Sequence, residues 1–112
     1  MEIKARFEVV YYVEVLQFLE ELDFKTRSKI LYNIDKARYS LDNNLFKKLT
    51  GTDVWEFRTL YNGKQYRILS FWDTETTTLV VAAHCFIKKT GKTPQKEIER
   101  TQDIMKQYFK QK

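Results

Sequence analysis

The residues best suited to chemistry in this 112-residue chain are basic, and they fall in its second half. Arg58 and Arg67 lie on either side of an Asn-Gly pair, and three lysines follow an apolar run, at Lys88, Lys89 and Lys92. Arginine offers a planar fork of donors that matches phosphate oxygens, whereas lysine binds phosphate as a compact charge. These residue types point to a phosphate or another anion as the ligand.

The spacing of the two arginines predicts that they meet. Asn62-Gly63 is the strongest short-range signal for a two-residue hairpin turn, and it joins predicted strands over 54–61 and 64–72. Such a turn places Arg58 directly opposite Arg67, and Trp55 opposite Ser70. A three-residue loop would instead bring Arg58 opposite Ile68.

Strand alternation then sorts the side chains of this hairpin onto two faces. Glu56, Arg58 and Arg67 share one face. The other face is apolar and is expected to pack on helices; it carries Trp55, Phe57, Tyr66 and Ile68. Like charges directly opposed on a sheet cost up to about 1 kcal/mol, so a negative group should lie between the two guanidinium groups. Two interpretations stay open: a clamp for phosphate, or an internal ion pair with Glu56.

The rest of the chain supplies the elements that would position these residues. Apolar periodicity predicts an α+β domain with a strand, two helices, a three-stranded meander and a last helix, over 5–11, 13–23, 24–41, 54–86 and 93–109. The expected core stripes are Val13, Leu16, Leu19 and Leu22, then Ile30, Ile34, Ala37 and Leu41, and finally Ile98, Ile104, Met105 and Tyr108. Thr93 is a good N-cap residue, and Pro94 suits the first position of the last helix.

Charge and composition narrow the class of protein. Residues 1–56 carry 9 Lys/Arg against 10 Asp/Glu, whereas residues 57–112 carry 11 against 5. A basic second half suggests a polyanion or an acidic protein as partner, although basic residues also serve simply to solvate a surface. No apolar run approaches the roughly 20 residues that span a bilayer, and the first residues lead into mixed sequence rather than an apolar signal core. We therefore expect a cytoplasmic, single-domain protein.

His84 and Cys85 are the two remaining reactive side chains. His84 has an unperturbed pKa near neutrality, but alternation places it with Val80, Ala82 and Phe86, so a packed, hydrogen-bonded histidine is favoured over a catalytic one. Cys85 is expected to be a small core residue. One cysteine and one histidine cannot build an internal disulfide, a cysteine-based zinc site or a histidine metal centre. Neither a metal nor a cofactor is expected.

Four segments together resemble the RelE/ParE toxin superfamily, in its HigB-like branch that includes phage-derived relatives. They are Lys48-Leu49-Thr50-Gly51, Val54-Trp55-Glu56-Phe57-Arg58, Tyr66-Arg67-Ile68-Leu69 and Phe86-Ile87-Lys88-Lys89-Thr90-Gly91-Lys92-Thr93-Pro94. The resemblance depends on their order and spacing over most of the chain. It implies a small RelE-like fold, in which two N-terminal helices cover one face of an antiparallel sheet and a C-terminal helix follows.

The resemblance also implies an activity. Many members are toxins of type II toxin–antitoxin modules that cut mRNA in the ribosomal A site without a metal, by attack of the ribose 2′-OH on the adjacent phosphate. Carried over by position, Arg67 would stabilise the phosphate with support from Arg58, while Lys88 and Lys89 would bind phosphate or protonate the leaving group. Glu56 is the candidate base. Further phosphate contacts are expected from Lys48, Lys64 and Lys92.

The implied partners are a cognate antitoxin, of the helix-turn-helix type that accompanies HigB-like toxins, and a ribosome with mRNA in its A site. This chain departs from relatives that place a catalytic tyrosine near the start of the last helix, where Thr93-Pro94 stands instead. Tyr108 lies farther along and is expected to be core. Two alternatives of the same fold stay open: a ParE-like toxin that poisons DNA gyrase by binding, and a non-toxic RNA-binding domain.

Overall fold

The computed structural model describes residues 3–89 and 91–112, so that Thr90, part of one quoted segment, lies outside the described residues. Within these ranges the elements in chain order are β1 (Glu8–Tyr11), α1 (Val13–Glu21), α2 (Phe24–Tyr39), β2 (Phe46–Lys48), β3 (Trp55–Tyr61), β4 (Lys64–Trp72), β5 (Leu79–Lys88) and α3 (Gln95–Lys110). The predicted α+β class is confirmed. None of the helices in the described ranges is long and apolar enough to cross a membrane.

The strands of the described residues form a mixed sheet in the order β1-β5-β4-β3-β2. The predicted meander of β3, β4 and β5 is antiparallel throughout and forms the centre of this sheet. β2 extends it antiparallel to β3, and β1 adds to the other side, parallel to β5. The sequence predicted β1 as a strand but not its parallel partner, because parallel pairing leaves no local signature in the chain.

The two-residue hairpin between β3 and β4 is confirmed. Asn62 and Gly63 both adopt positive φ angles, 50° and 74°, which is the conformation that an Asn-Gly turn of this type requires. Arg58 accordingly pairs with Arg67, and Trp55 pairs with Ser70. The register that the site depends on is therefore fixed by the turn.

The helices α1 and α2 cover one face of the sheet. Asp23 caps α2 through its side chain, which accepts hydrogen bonds from the backbone N–H and the hydroxyl of Thr26. Part of the predicted stripe of α1 is wrong: Val13 and Leu16 are 64% and 46% exposed, because the helix turns Val15 into the core beside the correctly predicted Leu19.

The end of α2 also differs from the prediction. The helix ends at Tyr39, since Ser40 has an extended backbone, and Leu41 lies beyond it with 89% of its surface exposed. The core under α1 and α2 is rich in aromatic rings and includes Phe7, Phe46, Phe57, Tyr66 and Ile68, with Trp55 and Trp72 packed against it. This is the apolar face that alternation predicted for the hairpin.

The helix α3 packs on the opposite face of the sheet. Its residues Ile98 and Ile104 are buried against apolar side chains of the sheet, which include Leu69, Phe71, Val81 and Phe86. Pro94, not Thr93, occupies the N-cap position, and α3 starts at Gln95. The predicted capping role of Thr93 is therefore wrong, because its hydroxyl is engaged elsewhere.

A β-bulge in β5 changes which residues share a face with His84. Leu69 pairs with His84 but the next residue, Ser70, pairs with Ala82, so Ala83 is extra in the ladder. His84 and Phe86 consequently lie on the α3 side, whereas Val80 and Ala82 belong to the core under α1 and α2. The face predicted for His84 from simple alternation is wrong for this reason.

Candidate functional site

The candidate site lies on the α3 side of the sheet, where the helix stops covering the strands. The strand registers build three successive cross-strand rows there, which are Lys47–Glu56–Leu69–His84, Arg58–Arg67–Phe86 and Leu60–Gln65–Lys88. In the first row Leu69 packs against Ile98 of α3. In the second row Phe86 belongs to the same cluster, and the third row lies nearer the hairpin turn. The polar residues of the site are thus presented by neighbouring strands of the sheet.

Glu56 lies at the centre of the site and is almost completely buried, with 3% of its surface exposed. Its Oε1 atom is 3.2 Å from Nε of Arg67 and 3.4 Å from Nε of Arg58. Its Oε2 atom accepts a hydrogen bond of 2.5 Å from the hydroxyl of Thr93. Of the two interpretations of the arginine pair, the internal ion pair is therefore present, and it compensates the repulsion between the two guanidinium groups.

Arg67 is the buried member of the arginine pair, with 4% of its surface exposed. Its two terminal nitrogens donate to the carbonyl oxygen of Tyr66, at 3.1 Å, and to Oε1 of Gln65, at 2.7 Å. Burial lowers the pKa of Arg67, Glu56 opposes this effect and Arg58 adds to it, while the guanidinium stays charged. Arg67 thus holds the side chains of Glu56 and Gln65 in position.

Arg58 is the accessible member, with 29% of its side chain exposed. One of its terminal nitrogens lies 3.4 Å from the carbonyl oxygen of Asn43. Arg58 lines a groove of about 600 Å³, together with Glu56 on its floor and Lys47, Lys88, Lys92 and Thr93 around it. The structure therefore brings Glu56, Arg58 and Lys88 together at one open groove.

Lys88 connects this groove to a second basic cavity. That cavity, of about 840 Å³, is lined by Lys64, Lys88 and Lys89 beside the hairpin turn. Partial burial lowers the pKa of Lys88 first, and the positive charge of Arg67 lowers it further, with Glu56 acting in the opposite direction. A lysine with a lowered pKa gives up its proton more readily than an ordinary lysine.

The predicted lysine ligands are placed unequally. Lys64, Lys89 and Lys92 border the two basic cavities. Lys48 borders the groove at the end of β2. It pairs with Trp55, however, and so lies on the face of the sheet that α1 and α2 cover. Lys47, which was not among the residues expected from the sequence, pairs with Glu56 and belongs to the row of the site.

His84 lies in the row of Glu56 but under α3, with Leu69 between them. Its Nδ1 atom is 3.2 Å from a carboxylate oxygen of Glu14, and its Nε2 atom is 3.1 Å from one of Glu97. Arg100 contacts the other oxygen of Glu14 at 2.7 Å. The predicted hydrogen-bonded histidine is confirmed, and its partners tie α1 and α3 to β5.

Two further side chains contact the cluster of Glu56, Arg58 and Arg67 and were not found from the sequence. Thr93 donates to Glu56, 37 residues away in the chain, and Gln65 accepts from Arg67. Only Gln65 carried a signal, since alternation places residues 65 and 67 on one face of β4.

Tyr108 packs on the core under α3, as expected, and Cys85 is partly buried, which raises the pKa of its thiol to about 12.

In the part of the chain that the structure describes, no group of three or more histidine, cysteine or acidic side chains is arranged to hold a metal ion.

The model of a protein family described as "Phage derived protein Gp49-like (DUF891)" matches residues 17–106. The chain belongs to this Gp49-like family. Gp49-like proteins are phage-derived and RelE- or toxin-like, which confirms the predicted resemblance at that level. Among curated proteins, none shows significant sequence similarity to this chain.

Proposed function

We propose that this Gp49-like protein is the toxin of a type II toxin–antitoxin module and that it cleaves mRNA on the ribosome. The observation that carries the proposal is the position of Glu56 on the floor of the basic groove, between Arg58 and Arg67 and beside Lys88. A carboxylate, an accessible guanidinium and a lysine with a lowered pKa supply a base, a phosphate ligand and an acid within one groove. Membership of a toxin-like, phage-derived family supports this assignment.

The proposed reaction is an internal transesterification of RNA. Glu56 accepts the proton of the ribose 2′-OH, and the 2′-oxygen bonds to the adjacent phosphorus as the bond from phosphorus to the 5′-oxygen breaks. Lys88 gives its proton to that leaving oxygen, so that the products are a 2′,3′-cyclic phosphate and a 5′-hydroxyl. Each carboxylate oxygen accepts more than one hydrogen bond, so Oε2 of Glu56 can bind the 2′-OH alongside Thr93.

The burial of the two arginines assigns them different tasks in this proposal. Arg58 is accessible from the groove and would contact the phosphate as its negative charge grows in the transition state. Arg67 is buried, donates hydrogen bonds to Tyr66 and Gln65 and forms an ion pair with Glu56, so it would hold Glu56 and Gln65 in position. The family resemblance implied the opposite roles, with Arg67 at the phosphate and Arg58 in support. Lys89, Lys92 and Lys64 would bind neighbouring phosphates, since they border the two basic cavities.

A toxin-like family implies an antitoxin partner. We propose a helix-turn-helix antitoxin that neutralises the toxin, and the ribosome as the second partner. The groove is basic and small, which supports binding of the RNA backbone rather than reading of a long sequence. Programmed ribosomes would then supply the orientation of the RNA strand that this groove does not impose by itself.

The test is primer extension on a defined mRNA incubated with the protein alone, with vacant ribosomes, and with programmed ribosomes whose A site is empty. We expect cleavage in the programmed complex, and we expect prior treatment of the protein with EDTA to leave it unchanged. The variant Arg58→Ala should lose cleavage by about 100-fold or more, the usual loss when one donor to a developing oxyanion is removed. Arg27→Ala on α2 is the matched control.

Absence of cleavage in every lane, with protein that still arrests growth, would overturn the nuclease assignment. The next measurement would be inhibition of DNA supercoiling by gyrase, the target of the ParE-like alternative. Protein that neither cleaves nor arrests growth would instead favour the non-toxic RNA-binding alternative.

A further inference from the structure

We propose that the outermost row of the site forms a pocket for one nucleobase of the RNA, an inference that rests on the function proposed above. A separate cavity of about 310 Å³ lies next to the arginine pair, lined by Asn44, Arg58, Leu60, Gln65 and Arg67. Its volume lies at the lower end of the range for small-molecule sites, roughly 300–1,000 Å³. The lining combines one apolar side chain, two amides and two guanidinium groups.

Leu60 is the residue that distinguishes this cavity from a simple phosphate site. It is 66% exposed on a regular strand, directly opposite Gln65, and one row outward from Arg58. An exposed leucine beside two guanidinium groups offers an apolar contact that a bare phosphate does not use. It does suit the flat, apolar face of a nucleobase whose backbone is bound by the neighbouring charges.

Gln65 is held so that one end of its amide is presented for recognition. Its Oε1 atom accepts from Nη2 of Arg67 at 2.7 Å, and a guanidinium has no acceptor, so the carbonyl end of the amide must face Arg67. The NH2 end therefore faces away from the guanidinium and is available to donate to an acceptor on a base edge. The buried Arg67 thus orients the amide of Gln65 in addition to the carboxylate of Glu56.

The spacing of the rows fits a single nucleotide. Successive rows on one face of a strand are about 7 Å apart, so a phosphate at Arg58 would be followed by its base at Leu60 and Gln65. Lys88 lies opposite Gln65 in the same row and borders the cavity that continues towards Lys64 and Lys89. The backbone would therefore continue along positive charge on the far side of the base.

The first test is independent of catalysis. Methyl and side-chain amide resonances of the isolated protein are followed by NMR while adenosine, guanosine, cytidine or uridine monophosphate is added, with ribose 5-phosphate as the probe that lacks a base. We expect the nucleotides, but not ribose 5-phosphate, to shift the methyl groups of Leu60 and the NH2 group of Gln65. The Leu60→Ala variant should bind the nucleotides about fivefold more weakly or worse, whereas Leu31→Ala on α2 should bind as the unchanged protein does.

Equal responses to ribose 5-phosphate and to the nucleotides would overturn the pocket, and so would the absence of any shift at Leu60. Either result would leave the cleavage assay, and with it the proposed function, to be decided separately. Conversely, a base-dependent shift in a protein that cleaves nothing would retain the pocket and overturn the nuclease.

The second test measures base preference. Gln65→Glu keeps an oxygen for Arg67 but removes the NH2 donor. On programmed ribosomes carrying mRNAs that differ in one A-site nucleotide, we expect the ratio of cleavage rates between two bases to change by about fivefold, the effect of one hydrogen bond. The added negative charge would lower cleavage of every mRNA alike, so only the ratio counts. Unchanged ratios at all three codon positions would show that Gln65 does not contact a base.

Discussion

Glu56 lies between two guanidinium groups and accepts a hydrogen bond from Thr93, and this explains why a sheet can carry two arginines directly opposite each other. The charge of a buried carboxylate needs partners, and Arg58, Arg67 and Thr93 provide them within 3.4 Å. The two guanidinium groups in turn need a negative group between them. The three charged side chains therefore form one unit, and removal of any member leaves the others poorly compensated.

Glu56→Gln should consequently lower the free energy of unfolding by about 3–5 kcal/mol, because it removes the negative charge from a largely buried cluster while keeping its shape. Urea denaturation at neutral pH measures this change. Glu99→Gln, on the exposed side of α3, is the control and should have little effect. Equal stability of Glu56→Gln and the unchanged protein would contradict the compensating role of Glu56.

The sequence predicted which residues of the site share a face, but not how deeply they are buried. Asn62-Gly63 fixed the register, and the shared face of Glu56, Arg58 and Arg67 followed from alternation. The burial of Arg67 depends on Gln65, Glu56 and the packing around them, and the contact of Thr93 with Glu56 depends on where the chain returns after β5. Neither is encoded by local spacing.

At the scale of elements, the hydrogen bond from Thr93 fastens the segment before α3 to the floor of the groove. Thr93→Val removes the hydroxyl at nearly constant shape, so we expect a loss of about 1.5–3 kcal/mol in unfolding free energy, the range for a hydrogen bond to a charged group. Thr93→Ser retains the donor and should recover most of that loss. Stability is measured by urea denaturation.

If the two variants are equally destabilised, the methyl group rather than the hydroxyl of Thr93 matters. The helix content of Thr93→Val, measured by circular dichroism, is a second check. It should be unchanged, because Pro94 rather than Thr93 is the N-cap of α3.

The far end of α3 is fastened to the turn between β4 and β5. Asp73, at 1% exposure, accepts hydrogen bonds of 2.5 Å from the hydroxyl of Tyr108 and from Nζ of Lys112. It also accepts from the backbone N–H groups of Glu75 and Thr76. The hydrogen bonds from Lys112 and Tyr108, the largest effects, hold the pKa of Asp73 well below its usual range.

This arrangement predicts how acid affects stability. The pKa of Asp73 is lowered in the folded protein, so its contribution is fully present above the unfolded value of about 4 and is lost as pH falls towards the folded pKa. Asp73→Asn should therefore be clearly less stable than the unchanged protein at pH 7, and this difference should shrink at pH 2–3. Urea denaturation at both pH values measures it. Asp103→Asn, exposed on α3, should show a smaller dependence on pH.

Elements with local signals were predicted well, and those that depend on distant partners were not. The hairpin and the three helices followed from turn residues and apolar periodicity. The parallel pairing of β1 with β5 and the bulge at Ala83 involve residues far apart in the chain. The bulge moved His84 to the face of α3, where Glu14 and Glu97 contact it, so one extra residue changed the environment of the only histidine.

At the scale of the whole molecule, the fold gathers basic residues at one end of the sheet, and most of them come from the second half of the chain. Lys47 from β2, Arg58 from β3, Lys88 from β5 and Lys92 from the following segment surround one groove. Lys64 and Lys89 extend the charge along the second cavity. Such a concentration of charge attracts a polyanion more strongly than the net charge of +5 would suggest.

The salt dependence of RNA binding tests whether this end of the molecule is the binding surface. The double variant Lys64→Ala/Lys89→Ala should bind a short single-stranded RNA more weakly. The slope of log affinity against log salt is negative, and its magnitude should decrease by about 0.7 for each phosphate contact that is lost. Lys25→Ala/Lys36→Ala removes the same charge from exposed positions of α2, so it should change affinity only slightly and leave the slope unaltered. If both double variants lose affinity equally, net charge alone attracts the RNA, and the grooves at this end of the sheet do not form a distinct binding surface.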